Sequence, residues 1–164
     1  MASFVVDMAK VFEDFVTVAL REAAADRPGR IRSQFPLGLT EGGQLPMYPD
    51  VVHLVDGRPS AVFDAKYKIE GPRREVSNAD IYQMLAYCTA LQLSRGHLIY
   101  AEGEGTPVTH RIVNTDPAIE IEQHPLDLTT TPAQVLAQVR TLVARTMPAR
   151  RTSGAKALAT SRTR

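Results

Sequence analysis

The chain has 164 residues, 44% of them hydrophobic and 23% charged, with one cysteine and no tryptophan. That length supports one domain with a core of its own, so no disulfide or metal staple is needed, and the lone Cys88 excludes an internal disulfide and any pointer to secretion. The formal charge of +1 hides an asymmetry: residues 1–127 hold 12 Lys and Arg against 18 Asp and Glu, and residues 128–164 hold 7 Lys and Arg and no acid.

The opening residues are rich in Val, Ala and Phe, but Asp7, Lys10, Glu13 and Asp14 interrupt them and no basic leader precedes them. Neither a signal peptide nor a membrane span is expected, and the protein is read as cytoplasmic. Met8, Val11, Phe12, Phe15, Val16 and Ala19 recur at helical spacing and predict a first helix over residues 4–25, ended by Asp26-Arg27-Pro28-Gly29. Residues 31–39 read as a strand that Pro36 confines to an edge or a bulge, followed by a loop over Glu41-Gly42-Gly43-Gln44. Strands over 50–55 and 60–68 flank the turn signal Asp56-Gly57-Arg58-Pro59, and a charged loop covers 71–75.

A second helix over 79–93 is introduced by Ser77-Asn78-Ala79-Asp80, a capping pattern, with Gly96 as its stop. Strands are expected at 97–101, 108–113 and 118–123, and a last helix from Thr131-Pro132 to about residue 146. The order α-β-β-β-α-β-β-β-α predicts an α/β domain over 1–146, a sheet with helices packed on it. From Met147 on, a basic stretch without an apolar pattern predicts a disordered tail over 147–164, with nucleic-acid contact and simple solubility both open.

The chemistry concentrates between Pro49-Asp50 and Asp64-Ala65-Lys66, where charged residues sit inside the apolar runs Val51-Val52-His53-Leu54-Val55 and Ala61-Val62-Phe63. Burying such groups is costly unless they pair or hold a metal. A turn centred on residues 56–59 puts Asp50 opposite residue 63, 64 or 65, and Asp64 and Lys66 share one face of their strand. Two carboxylates and an ammonium therefore converge. Repulsion between the carboxylates would raise one pKa unless a cation neutralised them. Mg²⁺ with its oxygen ligands suits that position and phosphodiester hydrolysis, with Lys66 orienting water or stabilising phosphate charge. A hairpin salt-bridged by Lys66 is the alternative, and spacing leaves both open. Gln83 and Tyr87, four apart, form a polar edge with Asp80 on the second helix, opposite Ile81, Met84, Leu85, Cys88 and Leu91. Glu13 flanks the apolar stripe of the first helix and, by itself, reads as solvated like Asp14.

The order Glu13, Pro49-Asp50, Asp64-Ala65-Lys66, Gln83-x-x-x-Tyr87 resembles the PD-(D/E)xK nuclease superfamily, in its branch with an added Gln-x-x-x-Tyr motif. Residues 8–16, 63–68 and 80–88 are similar to the nuclease domain of McrC proteins, the nuclease subunits of 5-methylcytosine-specific McrBC restriction systems, and the resemblance covers about residues 3–125. It implies an α/β restriction-endonuclease-like core, a mixed β-sheet flanked by α-helices, and Mg²⁺-dependent cleavage of DNA, with Mn²⁺ as a substitute. It further implies Asp50 and Asp64 as metal ligands with the Ala65 carbonyl nearby, Glu13 as an outer ligand, Lys66 as the catalytic lysine, and Gln83 and Tyr87 in support. McrC proteins act with McrB, a GTP-hydrolysing AAA+ motor, through an N-terminal region, whereas this sequence starts almost at the nuclease helix. A stand-alone nuclease, a contact supplied otherwise and a fragment of a longer reading frame all fit that departure. A non-catalytic module that binds DNA or the motor is the competing function.

The remaining candidates read as structural. His53, His97, His110 and His124 are dispersed without zinc-like spacing, Cys88 falls on an apolar helix face, and Arg73-Arg74 is a loop pair open to DNA or solvent. No Gly-x-x-x-x-Gly-Lys-Ser/Thr sequence occurs, so no nucleotide site of that kind is expected.

Overall fold

Strands whose residues alternate between two apolar faces need cover on both sides, and among the described residues three helices supply it. The computed structural model describes residues 6–67, 77–102 and 105–149. Its elements are α1 (Met8–Ala23), β1 (Arg30–Ser33), β2 (Leu37–Gly38), a 3₁₀ turn (Glu41–Gly43), β3 (Pro46–Met47), β4 (Val51–Val55) and β5 (Arg58–Lys66). They continue with α2 (Asn78–Leu91), β6 (Arg95–Glu102), β7 (Val108–Arg111), β8 (Glu120–Asp127) and α3 (Pro132–Thr146). The predicted loop over 71–75 and the pair Arg73-Arg74 lie outside the described residues.

Six strands form one mixed sheet in the order β1-β4-β5-β6-β8-β7, and β2 and β3 form a separate small hairpin. β1, β4 and β5 are antiparallel, β5, β6 and β8 run parallel, and β7 returns antiparallel to β8. A parallel neighbour requires a crossover connection, and α2 lies on the chain between β5 and β6. Val51, Phe63 and Ile99 face α1 and α3, packing with Phe12, Val16, Leu20, Val139 and Val143. Their neighbours Val52, Val62 and Leu98 face α2, packing with Met84, Tyr87, Cys88 and Leu91. Among the described residues, no helix is long and apolar enough to cross a membrane.

Several expected boundaries shift for local reasons. α1 starts at Met8 under an Asp7 cap whose side chain accepts from the Ala9 and Lys10 amides. Its buried stripe is Phe12, Val16, Ala19 and Leu20, whereas Met8 and Val11 are exposed. The strand expected over 31–39 breaks at Gln34, whose φ of 46° is left-handed, ahead of Pro36. Gln92, not Gly96, ends α2, in a left-handed cap with φ 55°. Gly96 belongs to β6, where a Cβ would collide with Met84 and come within 2.7 Å of Cys88 Sγ. β8 runs on to Asp127, with Pro125 level with Tyr100 of β6. Its ladder with β7 stops at Val108 and Gln123. Met147, expected in the tail, is buried against the core; residues 150–164 are not described.

The close approach of α2 to β6 makes Gly96→Ala destabilising by about 1–3 kcal/mol. Urea denaturation should show a lower midpoint with an unchanged slope, and a midpoint equal to wild type would contradict the contact.

Candidate active site

The β4–β5 hairpin turns through Asp56 and Gly57, with φ 50° and 78°, between the paired Val55 and Arg58. Positive φ at both central residues matches the strand twist that a two-residue hairpin needs. A bulge between His53 and Leu54 then sets Val52 against Val62 and Val51 against Phe63. One residue before that last pair, Asp50 reaches the Ala65 amide, next to Asp64, at the open end of the hairpin. Asp50 and Asp64 are thereby brought together, on the α2 side of the sheet.

Asp50 is held through both carboxylate oxygens. Its Oδ2 accepts from the Ala65 amide at 2.9 Å and its Oδ1 from Gln34 Nε2 at 3.1 Å. The same Gln34 Nε2 donates to Glu13 Oε1 at 2.9 Å, so one amide group ties α1 to the hairpin end. Glu13, which by itself reads as solvated, is therefore part of the cluster, with Lys10 Nζ also 2.9 Å from its Oε1. Gln34 is a site residue without a sequence signal: its role depends on a left-handed backbone after β1, locked by Gln34 N–H to Asp50 O at 3.0 Å.

Asp64 is buried at 3% exposure. Lys66 Nζ lies 2.5 Å from its Oδ2, an ion pair in distance, yet that oxygen lacks a hydrogen bond of acceptable angle. Lys66 Nζ instead donates to Gln83 Oε1 at 2.7 Å, and Gln83 Nε2 donates to the Tyr87 hydroxyl at 2.8 Å. Asp80 Oδ1 is 4.0 Å from Lys66 Nζ, and its Oδ2 accepts from Tyr100 OH at 3.0 Å. The Gln-x-x-x-Tyr edge thus works as a chain from a buried ring to the lysine. Tyr87 is buried, while Gln83 remains exposed. Ala65 enters the cluster through its N–H.

Burial is the main cause of the electrostatics. It pushes the Asp50 carboxyl up to about 6, with the Asp64 charge adding and the Ala65 amide opposing. Asp64 is raised by burial also, against the pull of Lys66. The Tyr87 hydroxyl is raised by burial, then by the Asp64 and Asp50 charges. A buried, incompletely hydrogen-bonded carboxylate oxygen beside a second carboxylate is a donor set that fits a hard divalent cation. Asp50 and Asp64 could hold it directly and Glu13 from outside.

Fold and site together define an α/β protein with a carboxylate–lysine cluster at the open end of an antiparallel hairpin. The sequence model of the McrBC 5-methylcytosine restriction system component family matches residues 1–101, and the chain belongs to that family. No curated protein sequence matches it. The fold is similar to a chain in a refined half-complex from a tetradecameric assembly of Thermococcus gammatolerans McrB AAA+ hexamers with bound McrC. The TM-score is 0.66 and the identity 19%, over 87% of this chain and 34% of that one. This chain therefore spans about a third of that chain's length.

A carboxyl raised in the folded state binds more protons folded than unfolded between the unfolded value of 3.8 and about 6. Its contribution is full below that window and is lost as pH rises through it. In EDTA, Asp50→Asn should therefore match wild type in stability near pH 4 and exceed it by about 1–2 kcal/mol at pH 7–8, allowing for solvent screening. Urea midpoints across that range test this, and a difference independent of pH would contradict it.

Proposed function

We propose that this chain is a Mg²⁺-dependent DNA endonuclease, the nuclease part of a 5-methylcytosine-specific restriction system. The observation that carries the reading is the convergence of Asp50 and Asp64 with Lys66 at their side, on a member of the McrBC family. When bound, Mg²⁺ (or Mn²⁺ in its place) supplies Lewis acidity at a phosphate oxygen and lowers the pKa of a coordinated water. Asp50 and Asp64 would hold the metal, and Gln34 fixes Asp50 and Glu13 relative to each other. Lys66 places its ammonium where it can hydrogen-bond the attacking water or the charge growing on the phosphate. Gln83, aligned by Tyr87, keeps that ammonium on station.

The acidic body, 12 cations against 18 acids over residues 1–127, opposes tight DNA binding by itself, because phosphate affinity follows cation count. We assign DNA delivery to a McrB-like AAA+ GTPase partner in the cytoplasm. Support comes from the solved relative, which is assembled with McrB hexamers.

Plasmid DNA with Mg²⁺ tests the reading. Nicking or linearisation should fall at least about 100-fold in Asp64→Ala and Lys66→Ala, fall about 10–100-fold in Gln83→Ala, and vanish in EDTA. Equal cleavage by wild type and the first two variants would refute the assignment. If none cleaves, a McrB-type GTPase with methylated and unmethylated DNA is added. Continued inactivity then favours the non-catalytic module.

A further inference from the structure

The sheet face under α1 and α3 carries a second cluster, opposite the carboxylate–lysine site. His97 on β6 is level with Glu122 on β8, and Ile99 with His124, so the three polar side chains share one face. His97 Nδ1 and His124 Nε2 are 3.1 Å apart. Glu122 Oε2 lies 3.5 Å from the same His124 nitrogen and 3.8 Å from the same His97 nitrogen. Exposure of the three side chains is only 2%, 8% and 14% for His97, His124 and Glu122.

Three lone-pair atoms converge there. Between neutral rings a single proton can bridge the two nitrogens, and the Glu122 carboxylate oxygen faces both. Burial keeps both rings neutral, His97 down to about 3 and His124 to about 4, the form in which imidazole binds a metal. We propose that His97, Glu122 and His124 bind a Zn²⁺ ion, at a site separate from the proposed nuclease centre.

The donor spacings of 3.1, 3.5 and 3.8 Å bracket the edge of about 3.3–3.4 Å that bonds of about 2.0–2.1 Å give a tetrahedron. An octahedral set would need edges near about 3 Å at those bond lengths. The surroundings hold the ligands in place. Arg95 Nε is 3.4 Å from Glu122 Oε1, leaving Oε2 turned to the imidazoles, and Phe63 stacks on His97 with ring centres 5.0 Å apart. Two cavities flank the cluster, about 200 Å³ against His124 and about 490 Å³ against His97, and Arg145 lines both. An anionic fourth ligand, such as hydroxide, would offset the Arg145 charge beside the cluster.

Zinc content and affinity of the full chain carrying Asp64→Ala test the site, since that background weakens the other carboxylate cluster. After EDTA treatment and desalting, one Zn²⁺ per chain should rebind in competition with a chromogenic chelator. Co²⁺ should give the visible absorption of a four-coordinate ion. His124→Gln and Glu122→Gln should each weaken Zn²⁺ binding at least about tenfold. Glu122 lies at the edge of the core, so Glu122→Gln decides the matter if His124→Gln fails to fold. Absence of zinc binding in the parent, or affinity unchanged in Glu122→Gln, would overturn the proposal without bearing on DNA cleavage.

Discussion

The register of β4 against β5 decides which way every side chain near the hairpin end points, and both cores and the site depend on it. With Val51 opposite Phe63, the residues Ala61, Phe63 and Ala65 enter the layer under α1 and α3. Val62, Asp64 and Lys66 enter the layer under α2. A slip of one residue would exchange the two sets and drive Asp64 into a cluster of Phe12, Val16 and Leu20. The two-residue turn at Asp56-Gly57 and the bulge after His53 together exclude that slip. Geometry that places the carboxylates is thus the same geometry that closes the apolar layers, which couples the site to the stability of the whole sheet.

The site is held in tension with that stability. Burial raises both Asp50 and Asp64, the Asp64 charge makes Asp50 harder still to ionise, and the Asp80 and Glu13 charges do the same to Asp64. The chain offsets part of this with donors drawn from distant elements: the Gln34 amide after β1, the Ala65 amide in β5, and Lys66 braced from α2. None of these donors neutralises both acids. The residual strain is electrostatic, and a cation placed between the acids would relieve it.

What could be seen in the sequence was whatever short-range chemistry determines. Asp50, Asp64 and Lys66 were visible because a strong turn signal fixes the offset between two strands, and Gln83 and Tyr87 because a helix fixes the spacing of four. Glu13 needed the family resemblance, since nothing in its own helix says that a glutamine 21 residues away will reach it. Gln34 has no signal at all, because its position follows from a left-handed backbone held by tertiary bonds from the Gln34 amide to Asp50 and the Phe35 amide to Pro49. His97 and His124 were dispersed in sequence but meet across parallel strands, 27 residues apart. Parallel pairing has no local signature comparable to a hairpin turn. Gly96 is not the helix stop its position suggests, for a related reason: its missing side chain serves the packing of α2 on the sheet, while the non-glycine Gln92 carries the left-handed cap.

Pro125 has a meaning beyond its own strand. It sits in β8 where the ladder with β7 has already ended, so it gives up no donor that β7 uses. A second polypeptide approaching along that stretch would find no amide hydrogen at the position where a continuous ladder requires one. The outer margin of the parallel half of the sheet is in this way poorly suited to templating another strand. That restrains edge-to-edge self-association along this margin.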